Sequence, residues 1–482
     1  MDSIARWQPG KRSLLISPLL GVLFTFAFSP YPLGFIAYII FIPLILLASR
    51  HRFLSGFLFG IGHFSTLLYW ILFLDVPPVT RRWLILGVVV LIGYLALYYG
   101  LLTLGISYLG PISLPFLIVI LEYLRSRGEL GFPWGLLGYT QVHYLPVLQI
   151  AAGLGIYGVS FFVAGVNFLI YLAIRRRKFL YLILPPLILG LGWAMMGRSE
   201  KTTTKVGLLQ PNINTNQVWT RSRREETMEK LIRMTDSLAR AGARLVIWPE
   251  SSMPLSIFHH KRYQKGLIEL ADSDRIAILL GTSIFEDHNL YNGAILIVPD
   301  SGVVGHYKKI HLVPFSEHLP YEERFHFLKG IDFGQGDYSP GKESTVFSWG
   351  SRFGCLICFE SIFPELSRRY ATKVDFLVNI TNDGWFGDSP GLYQHADMAI
   401  VRAVEFRIPL IRVANTGISM VVDPYGRVLV RTPAFETIGL VVVVPQQSRS
   451  LYLELGDVIF YLSLIFVFIS AGRSWWSYHR RR

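Results

Sequence analysis

Charged residues, cysteines and metal-binding motifs are scarce in this 482-residue sequence. Asp, Glu, Lys and Arg make up 16% of it, hydrophobic residues make up 52%, and the mean hydropathy is +0.41. These values exclude an ordinary soluble protein, in which about a quarter of the residues are charged. Cysteine occurs only at Cys355 and Cys358, so these two form the one possible redox pair. Neither HExxH nor paired Cys and His spacings occur, and no metal site is predicted.

Long hydrophobic runs, by contrast, are frequent, and each approaches or exceeds the roughly 20 residues that a helix needs to cross a bilayer. Seven runs fall in residues 1–198, which we predict to form a membrane domain. One more falls in residues 453–482, as an eighth transmembrane helix with a basic cytoplasmic tail. The runs lie at residues 13–29, 33–49, 53–75, 83–107, 111–124, 147–174, 179–197 and 456–472.

The positions of Lys and Arg orient these predicted spans. Lys11, Arg50, the run 175–178 and Arg482 all fall on one side of the membrane when eight spans are counted. Positive charge in short loops marks the cytoplasmic side, which places residues 199–452 outside the cytoplasm. The net charge of +13 is largely a consequence of this topology and of attraction to anionic lipid. Because no basic patch is interleaved with aromatic residues, nucleic acid is not an expected partner.

Residues 199–452 have the length and polar content of one large soluble domain. Runs rich in β-branched residues predict buried strands, and the stretches 221–242 and 393–407 predict helices. This mixture favours a layered α/β sandwich. The predicted strands are residues 205–210, 244–250, 277–285, 293–299, 352–358, 375–381 and 418–424.

Reactive side chains lie at the ends of three apolar segments. Glu250 ends one strand, Lys308 and Lys309 follow another, and Cys358 and Glu360 follow a third. A cysteine nucleophile needs a base for its proton and a cation for the oxyanion that it generates, and Glu and Lys can fill these roles. Taken singly, the same residues are more typical of a solvated acid, surface charge and core packing. Their common position at strand ends favours one shared site.

The two cysteines allow three interpretations: a nucleophile, a redox pair or core packing. An extracytoplasmic compartment permits a disulfide. However, side chains three residues apart on a strand point to opposite faces, and redox Cys-x-x-Cys pairs normally lie where a helix begins. We therefore predict Cys355 in the core and Cys358 at the strand exit. A helix predicted just after Cys358 is expected to lower the pKa of its thiol.

Four motifs resemble those of the carbon-nitrogen hydrolase (nitrilase) superfamily. They are "VIWPESSMP", "YKKIHLVPFSEHLP", "GCLICFES" and "NITNDGWFGDSPGLYQH". Together with the predicted spans and "GFPWGLLGYTQ" at 131–141, the whole chain resembles the apolipoprotein N-acyltransferase family. The resemblance implies an αββα sandwich attached to a multi-span membrane domain, with no metal or organic cofactor.

The resemblance also implies a catalytic triad. Glu250 would be the general base, Lys309 the cation that stabilises the oxyanion, and Cys358 the nucleophile. Lys309 is preferred to its neighbour because the family's lysine stands eight residues before the glutamate that Glu317 matches. Glu317 and Glu360 would assist in placing charge.

Several further positions match the family's substrate-binding residues. Trp219 matches a substrate-contacting tryptophan, and Asn382, Trp385 and Phe386 match residues at the rim of the active site. Phe359 stands where the family commonly has a tyrosine, so this site lacks one hydroxyl group.

The reaction that the resemblance implies transfers an acyl chain in two steps. Cys358 would accept the chain from a membrane phospholipid as a thioester and pass it to the α-amine of a diacylglyceryl-modified lipoprotein. The resemblance implies a multi-pass protein of a bacterial inner membrane, with its catalytic domain in the periplasm. A monomer would suffice for this mechanism. A membrane-anchored amidase with the same triad, and a binding or transport protein without catalysis, are the alternatives.

Overall fold

The computed structural model describes most of the chain as two compact units. The first unit comprises Met1–Gly197, Ser389–Asp397 and Ser450–Arg482, and the second comprises Arg198–Asp388 and Met398–Arg449. The described residues are 14–479 except for 75, 77, 215–218, 253–256, 258–259, 323 and 327–335.

The α-helices are numbered here along the chain. They are α1 (Ile16–Thr25), α2 (Phe41–Leu67), α3 (Pro78–Leu109), α4 (Leu114–Arg125), α5 (Leu145–Leu148), α6 (Ala151–Arg176), α7 (Leu184–Ala194), α8 (Arg221–Arg240), α9 (Lys261–Asp274), α10 (Pro364–Tyr370), α11 (Pro390–Phe406), α12 (Tyr452–Leu455) and α13 (Val458–His479).

Apolar helices dominate the first unit. Among the described residues, four helices are long and apolar enough to cross a membrane: α2, most of α3, α6 and most of α13. Two shorter apolar helical stretches lie at Ile16–Thr25 and Phe179–Ala194. The predicted runs 33–49 and 53–75 meet in α2, which has one non-helical residue at Arg52 (φ 31°, ψ −115°). The chain is a membrane protein, and the count of eight spans stays a prediction.

Buried charged residues on α4 organise a non-helical loop of the first unit. Arg125 donates from Nη1 to the carbonyl of Trp134 (2.9 Å) and from Nη2 to that of Gly135 (2.9 Å). Glu122 accepts from the backbone N–H of Leu137 (2.6 Å). Unpaired backbone groups are costly away from water, so these side chains stabilise irregular backbone within an apolar unit.

Two six-stranded sheets form the centre of the second unit. The first sheet has the order β12-β1-β2-β3-β4-β5, and the second has the order β11-β10-β9-β8-β7-β6. The strands are β1 (Lys201–Gln210), β2 (Leu245–Ile247), β3 (Ala277–Glu286), β4 (Asn289–Val298), β5 (Gly302–Lys308), β6 (Val346–Trp349), β7 (Ser351–Ile357), β8 (Phe376–Thr381), β9 (Leu410–Ala414), β10 (Met420–Val422), β11 (Val428–Arg431) and β12 (Ile438–Pro445).

The main core lies between the two sheets. One cluster of buried side chains joins residues such as Leu208 and Leu279 of the first sheet to Val378 and Val413 of the second. Alternate residues of a strand point to opposite faces, so each sheet also has an outer face, which helices cover.

Helices pack on both outer faces. Helix α8 begins after Thr220, whose hydroxyl accepts the N–H of Arg223 (3.3 Å) and so caps the helix. Its residues Met228 and Leu231 belong to a second core cluster on the first sheet. On the second sheet, α10 packs closely against β7. A Cβ added at Gly354 would lie only 2.4 Å from the Tyr370 ring. The resulting αββα sandwich confirms the predicted fold class.

Candidate active site

Glu250 lies just beyond the short strand β2. Pro249 stands immediately before it, and the next strand approaches closely, since a Cβ at Gly281 would lie 2.7 Å from the Glu250 Cα. The carboxylate is buried, with only 6% of the residue exposed. Its Oε1 accepts a hydrogen bond from Asn292 Nδ2 (2.7 Å), and its Oε2 accepts the backbone N–H of Asn382 (2.8 Å). The Glu250 side chain is therefore held in one orientation from both sides.

Lys309 follows β5 directly and is almost completely buried, with 1% of the residue exposed. Its Nζ donates to Glu317 Oε1 (2.9 Å) and lies 3.7 Å from Glu250 Oε1. The neighbouring Lys308 instead pairs with Glu286 and lies over the Tyr291 ring. Because successive side chains alternate in direction, only Lys309 reaches the two buried carboxylates.

The ammonium of Lys309 lies between two carboxylates but is closer to Glu317 than to Glu250. This difference in distance shifts the pKa values of the two carboxyl groups differently. Burial alone raises the pKa of Glu317, but the adjacent Lys309 and hydrogen bonds bring it below the ordinary value. Burial also raises the pKa of Glu250, and the more distant Lys309 does not cancel that effect, in part because the charge of Glu317 opposes it. Burial acts to lower the pKa of Lys309, but both carboxylates raise it above its ordinary value. Glu250 is the member of this set best able to accept a proton.

Cys358 stands at the exit of β7, where the chain turns sharply. Its φ of 52° is in the left-handed region, and a short 3-10 helix, Cys358–Ile362, begins there. Cys355, three residues earlier, is completely buried in the core between the sheets. The two cysteines are not joined to each other by a disulfide.

The environment of the Cys358 thiol corrects one expectation from the sequence. Its pKa is raised, first by burial and then by the charge of Glu250, while Lys309 lowers it. A dipole at the start of a five-residue helix does not outweigh this burial. The thiol is therefore protonated at rest, and a neighbouring base must take its proton when it reacts.

Glu360 ties the nucleophile strand to the lysine segment. Its Oε1 accepts the Tyr307 hydroxyl (2.8 Å) and the backbone N–H groups of Ile310 (2.7 Å) and His311 (3.1 Å). Its Oε2 accepts the backbone N–H of Ile357 (2.7 Å). Glu360 thus positions the backbone that precedes Cys358 and the backbone that follows Lys309.

The predicted substrate-binding residues occupy different environments. Asn382 is buried, and its backbone contacts Glu250 as described above. Trp385 is 47% exposed, and Phe386 is half-buried in the same short helix, Asp383–Phe386. Trp219 is half-buried against the core under α8. Phe359 is buried, with its ring edge-on to Phe363 at 5.1 Å.

Asn292 is a site residue that the sequence reasoning missed. Its Nδ2 donates to both Glu250 (2.7 Å) and Glu317 (3.0 Å), and so links the two carboxylates directly. The available signal was a buried amide in the otherwise apolar strand "YNGAILIV". An unpaired amide is costly there, so its presence indicated a polar partner.

These groups together can carry out acyl transfer at a carbonyl. Glu250 can take a proton, Cys358 can attack, and Lys309 can stabilise the oxyanion that forms. The same set would serve water or an amine as the second nucleophile. Within the described part of the chain, no group of three or more His, Cys, Asp or Glu residues is arranged to hold a metal ion.

Comparison with known proteins identifies relatives for both halves of the chain. Residues 205–452 match the family model for carbon-nitrogen hydrolase, and residues 20–169 match that for the apolipoprotein N-acyltransferase N-terminal domain. The apolipoprotein N-acyltransferase of Geobacter metallireducens is 37% identical over 93% of this chain and 92% of its own length. That of Thermotoga maritima is 31% identical over 97% of this chain and 95% of its own.

A further comparison concerns solved structures. The chain is similar to an amidase from Nesterenkonia sp., with 19% identity and a TM-score of 0.43, over 55% of this chain and 97% of that one.

Proposed function

We propose that Glu250, Lys309 and Cys358 perform the chemistry of this chain, which belongs to the apolipoprotein N-acyltransferase family. The protein is an acyltransferase, and we propose that its acceptor is the N-terminal α-amine of S-diacylglyceryl-cysteine apolipoproteins. The observation that carries the catalytic assignment is the single buried ammonium of Lys309, 2.9 Å from Glu317 and 3.7 Å from Glu250. This arrangement leaves Glu250 free to act as a base while the cation remains charged.

The first step loads the enzyme. Glu250 takes the proton of the Cys358 thiol, and the thiolate attacks the ester carbonyl of an acyl chain on a membrane phospholipid. Lys309 stabilises the tetrahedral oxyanion. The carbon–oxygen bond of the ester then breaks, the lysophospholipid oxygen takes the proton back from Glu250, and a thioester remains on Cys358.

The second step delivers the chain to the lipoprotein. Its free α-amine attacks the thioester carbonyl and loses a proton to Glu250, and Lys309 again stabilises the oxyanion. The carbon–sulfur bond breaks to give an amide, and the departing thiolate recovers a proton from Glu250. Water must be kept from the thioester between the steps. We assign this shielding, and contact with both lipids, to Trp219, Trp385, Phe386 and Phe359.

The remaining residues support these roles. Glu317 keeps Lys309 charged, Glu360 holds the backbone that carries the nucleophile and the cation, and Asn382 orients Glu250 through its N–H group. We further propose that the protein is a monomer of the bacterial inner membrane with this domain in the periplasm, where the loop charges place it.

Intact mass spectrometry tests the loading step. The full-length protein is incubated with a phospholipid of defined acyl composition, alongside Cys358→Ser and the matched control Cys355→Ser. We expect wild type and Cys355→Ser to gain one acyl mass that neutral hydroxylamine removes. Cys358→Ser should gain none, or an ester that resists hydroxylamine. An unmodified wild type that hydrolyses a small amide would instead support the amidase alternative.

A peptide acceptor tests the delivery step. The loaded enzyme is mixed with an S-diacylglyceryl-cysteine peptide whose α-amine is free, and with the same peptide acetylated at that amine. We expect the acyl mass to leave the enzyme and appear on the free peptide only. Equal release of fatty acid to water with both peptides would contradict the transferase assignment.

A further inference from the structure

Arg412 is a buried charged residue that the mechanism above does not use. It lies at the centre of β9 and is completely buried. In the parallel register of the second sheet, Arg412 pairs with Asn379 of β8, which pairs with Leu356 of β7. These three residues therefore form one row across the sheet, and the row ends two residues before Cys358.

The guanidinium of Arg412 donates to Asn379, which lies on this row, and to Asp383, which lies outside it. Its Nη2 donates to both carboxylate oxygens of Asp383, at 2.9 and 2.8 Å. Its Nη1 donates to Asn379 Oδ1. Asp383 also accepts the hydroxyl of Thr381 (2.8 Å). Asp383, Thr381 and Asn379 are completely buried, so water does not screen these charges.

Asn379 and Asp383, two residues that Arg412 contacts, both act on Cys358. Asn379 Nδ2 donates to the carbonyls of Leu356 (3.1 Å) and Cys358 (3.4 Å). It thereby supports the turn in which Cys358 has its positive φ. On the other side, the carboxylate of Asp383 acts on the Cys358 thiol and raises its pKa, whereas a hydrogen bond with Thr381 lowers it.

The local packing keeps Asp383 in this place. A Cβ at Gly417 would lie only 2.1 Å from Asp383 Oδ2, so a larger residue there would displace the carboxylate. A buried ion pair seldom stabilises a fold more than apolar residues of the same shape. Its complete burial beside the nucleophile therefore points to a role in the reaction.

We propose that Arg412 is a positioning residue for Cys358: it offsets the charge of Asp383 beside the thiol and orients Asn379, which holds the turn at the nucleophile. The inference rests on the proposed role of Cys358. The other charged groups that act on this thiol are Glu250 and Lys309, both from the first sheet. In this proposal Arg412 is the cation of the second sheet that offsets Asp383, as Lys309 is the cation of the first sheet that offsets Glu250.

The reactivity of Cys358 toward iodoacetamide tests this inference without any lipid. The rate of alkylation is measured by mass spectrometry on the full-length protein from pH 6 to 9, together with the melting temperature of each variant. Arg412→Met leaves Asp383 uncompensated and should slow alkylation at pH 8 about tenfold, the effect of one unit in the thiol pKa. Asp383→Asn removes the opposing charge and should accelerate alkylation by a similar factor. The double variant should return toward the wild-type rate.

Arg407→Met is the matched control. Arg407 is also buried, donates to the backbone carbonyl of Pro424 and lies over the Tyr425 ring. Its removal should leave alkylation unchanged even where it lowers the melting temperature. If Arg412→Met does not fold, Asp383→Asn alone decides, because only an electrostatic role predicts a faster reaction.

Two results would overturn the inference while leaving the proposed nucleophile in place. One is an Arg412→Met protein that is folded and alkylated at the wild-type rate. The other is a loss of rate in both Arg412→Met and Asp383→Asn, which a merely structural pair would give. A wild-type Cys358 that iodoacetamide does not modify, at any pH in the series, would instead remove the proposed nucleophile and this inference with it.

Discussion

The two sheets of the second unit contribute different chemistry to one site. The first sheet supplies the ionisable groups Glu250 and Lys309, with Asn292 and Glu317 bonded directly to them. The second sheet supplies the thiol of Cys358, together with Asn379 and Arg412, which we propose position that residue. In the proposed mechanism, the first sheet therefore supplies the groups that accept the proton and stabilise the oxyanion, and the second sheet supplies the nucleophile.

This division predicts that substitutions in the two sheets will affect the acylation rate differently. In the first sheet the charged groups contact one another, so removing one leaves another buried and unpaired, which is costly. In the second sheet, we propose that the Arg412–Asp383 pair acts on Cys358 indirectly, through Asn379 and through its electric field. Apart from changes to Cys358 itself, substitutions in the first sheet should therefore cause larger losses of acylation rate than those in the second.

Apart from replacement of Cys358 itself, the largest loss is expected for Lys309→Met. It removes the cation that we propose stabilises the oxyanion and leaves Glu250 and Glu317 without this partner, so the rate of acyl-enzyme formation should fall about a thousandfold. The matched control is Lys308→Met, since Lys308 pairs with Glu286 and not with the site. Comparable losses in both variants, measured by single-turnover mass spectrometry, would contradict the assignment of Lys309.

Glu250→Gln should cost about a hundredfold, the usual contribution of a general base. Its pKa is raised by burial, so the base form of wild type is lost as the pH falls through a value above that of an ordinary glutamate. The acylation rate of wild type should decline with acid in that window. The rate of Glu250→Gln should be flat there, and a retained acid limb in the variant would assign the titration to another group.

Glu317→Gln should have a smaller effect than either change above. It keeps the shape of the side chain but removes the charge that Lys309 contacts at 2.9 Å, and a hydrogen bond between charged groups is worth about 2 kcal/mol. The expected loss of acylation rate is about thirtyfold. Glu322→Gln, an acid later in the same segment, is the control. A loss as large as that of Lys309→Met would show that Glu317 does more than hold the cation.

Asn292→Ala sharpens the comparison within the first sheet. It removes the amide that links Glu250 to Glu317, and each of its hydrogen bonds is worth about 1 to 2 kcal/mol. Acylation should slow about tenfold, and the acid limb of its pH profile should move to higher pH because Glu250 loses a donor that lowers its pKa. An unmoved acid limb would indicate that Asn292 serves packing alone.

Cys355→Ala should have the smallest effect on activity. The thiol of Cys355 is buried between the sheets and its pKa is well above the ordinary value, so it does not react. Truncation leaves a small cavity that costs about 1 kcal/mol of unfolding free energy. A lower melting temperature with an unchanged acylation rate is the expected result, and a large loss of rate would reopen the role of the cysteine pair.

Much of this site could be predicted from strand ends and motifs. The family that the motifs indicated is confirmed by the matches of both halves of the chain. The predicted strands near Glu250 and Cys358 exist, although β2 is only three residues long. The strand β9 was not predicted, because the charged Arg412 in "LIRVA" argues against a buried strand until its partner Asp383 is known.

The fold class, the family and the positions of Glu250, Lys309 and Cys358 after apolar segments could be predicted from the sequence, since apolar periodicity and short motifs are local properties. The three-dimensional arrangement was needed to learn that the pKa values of Glu250 and Glu317 shift in opposite directions, that the Cys358 pKa rises, that Asn292 contacts both carboxylates, and that Arg412 contacts Asp383 and Asn379. Those outcomes depend on burial and on hydrogen bonds between strands that are far apart in the chain. Distances of a few ångströms between such strands are set by sheet order and register, which no single segment specifies.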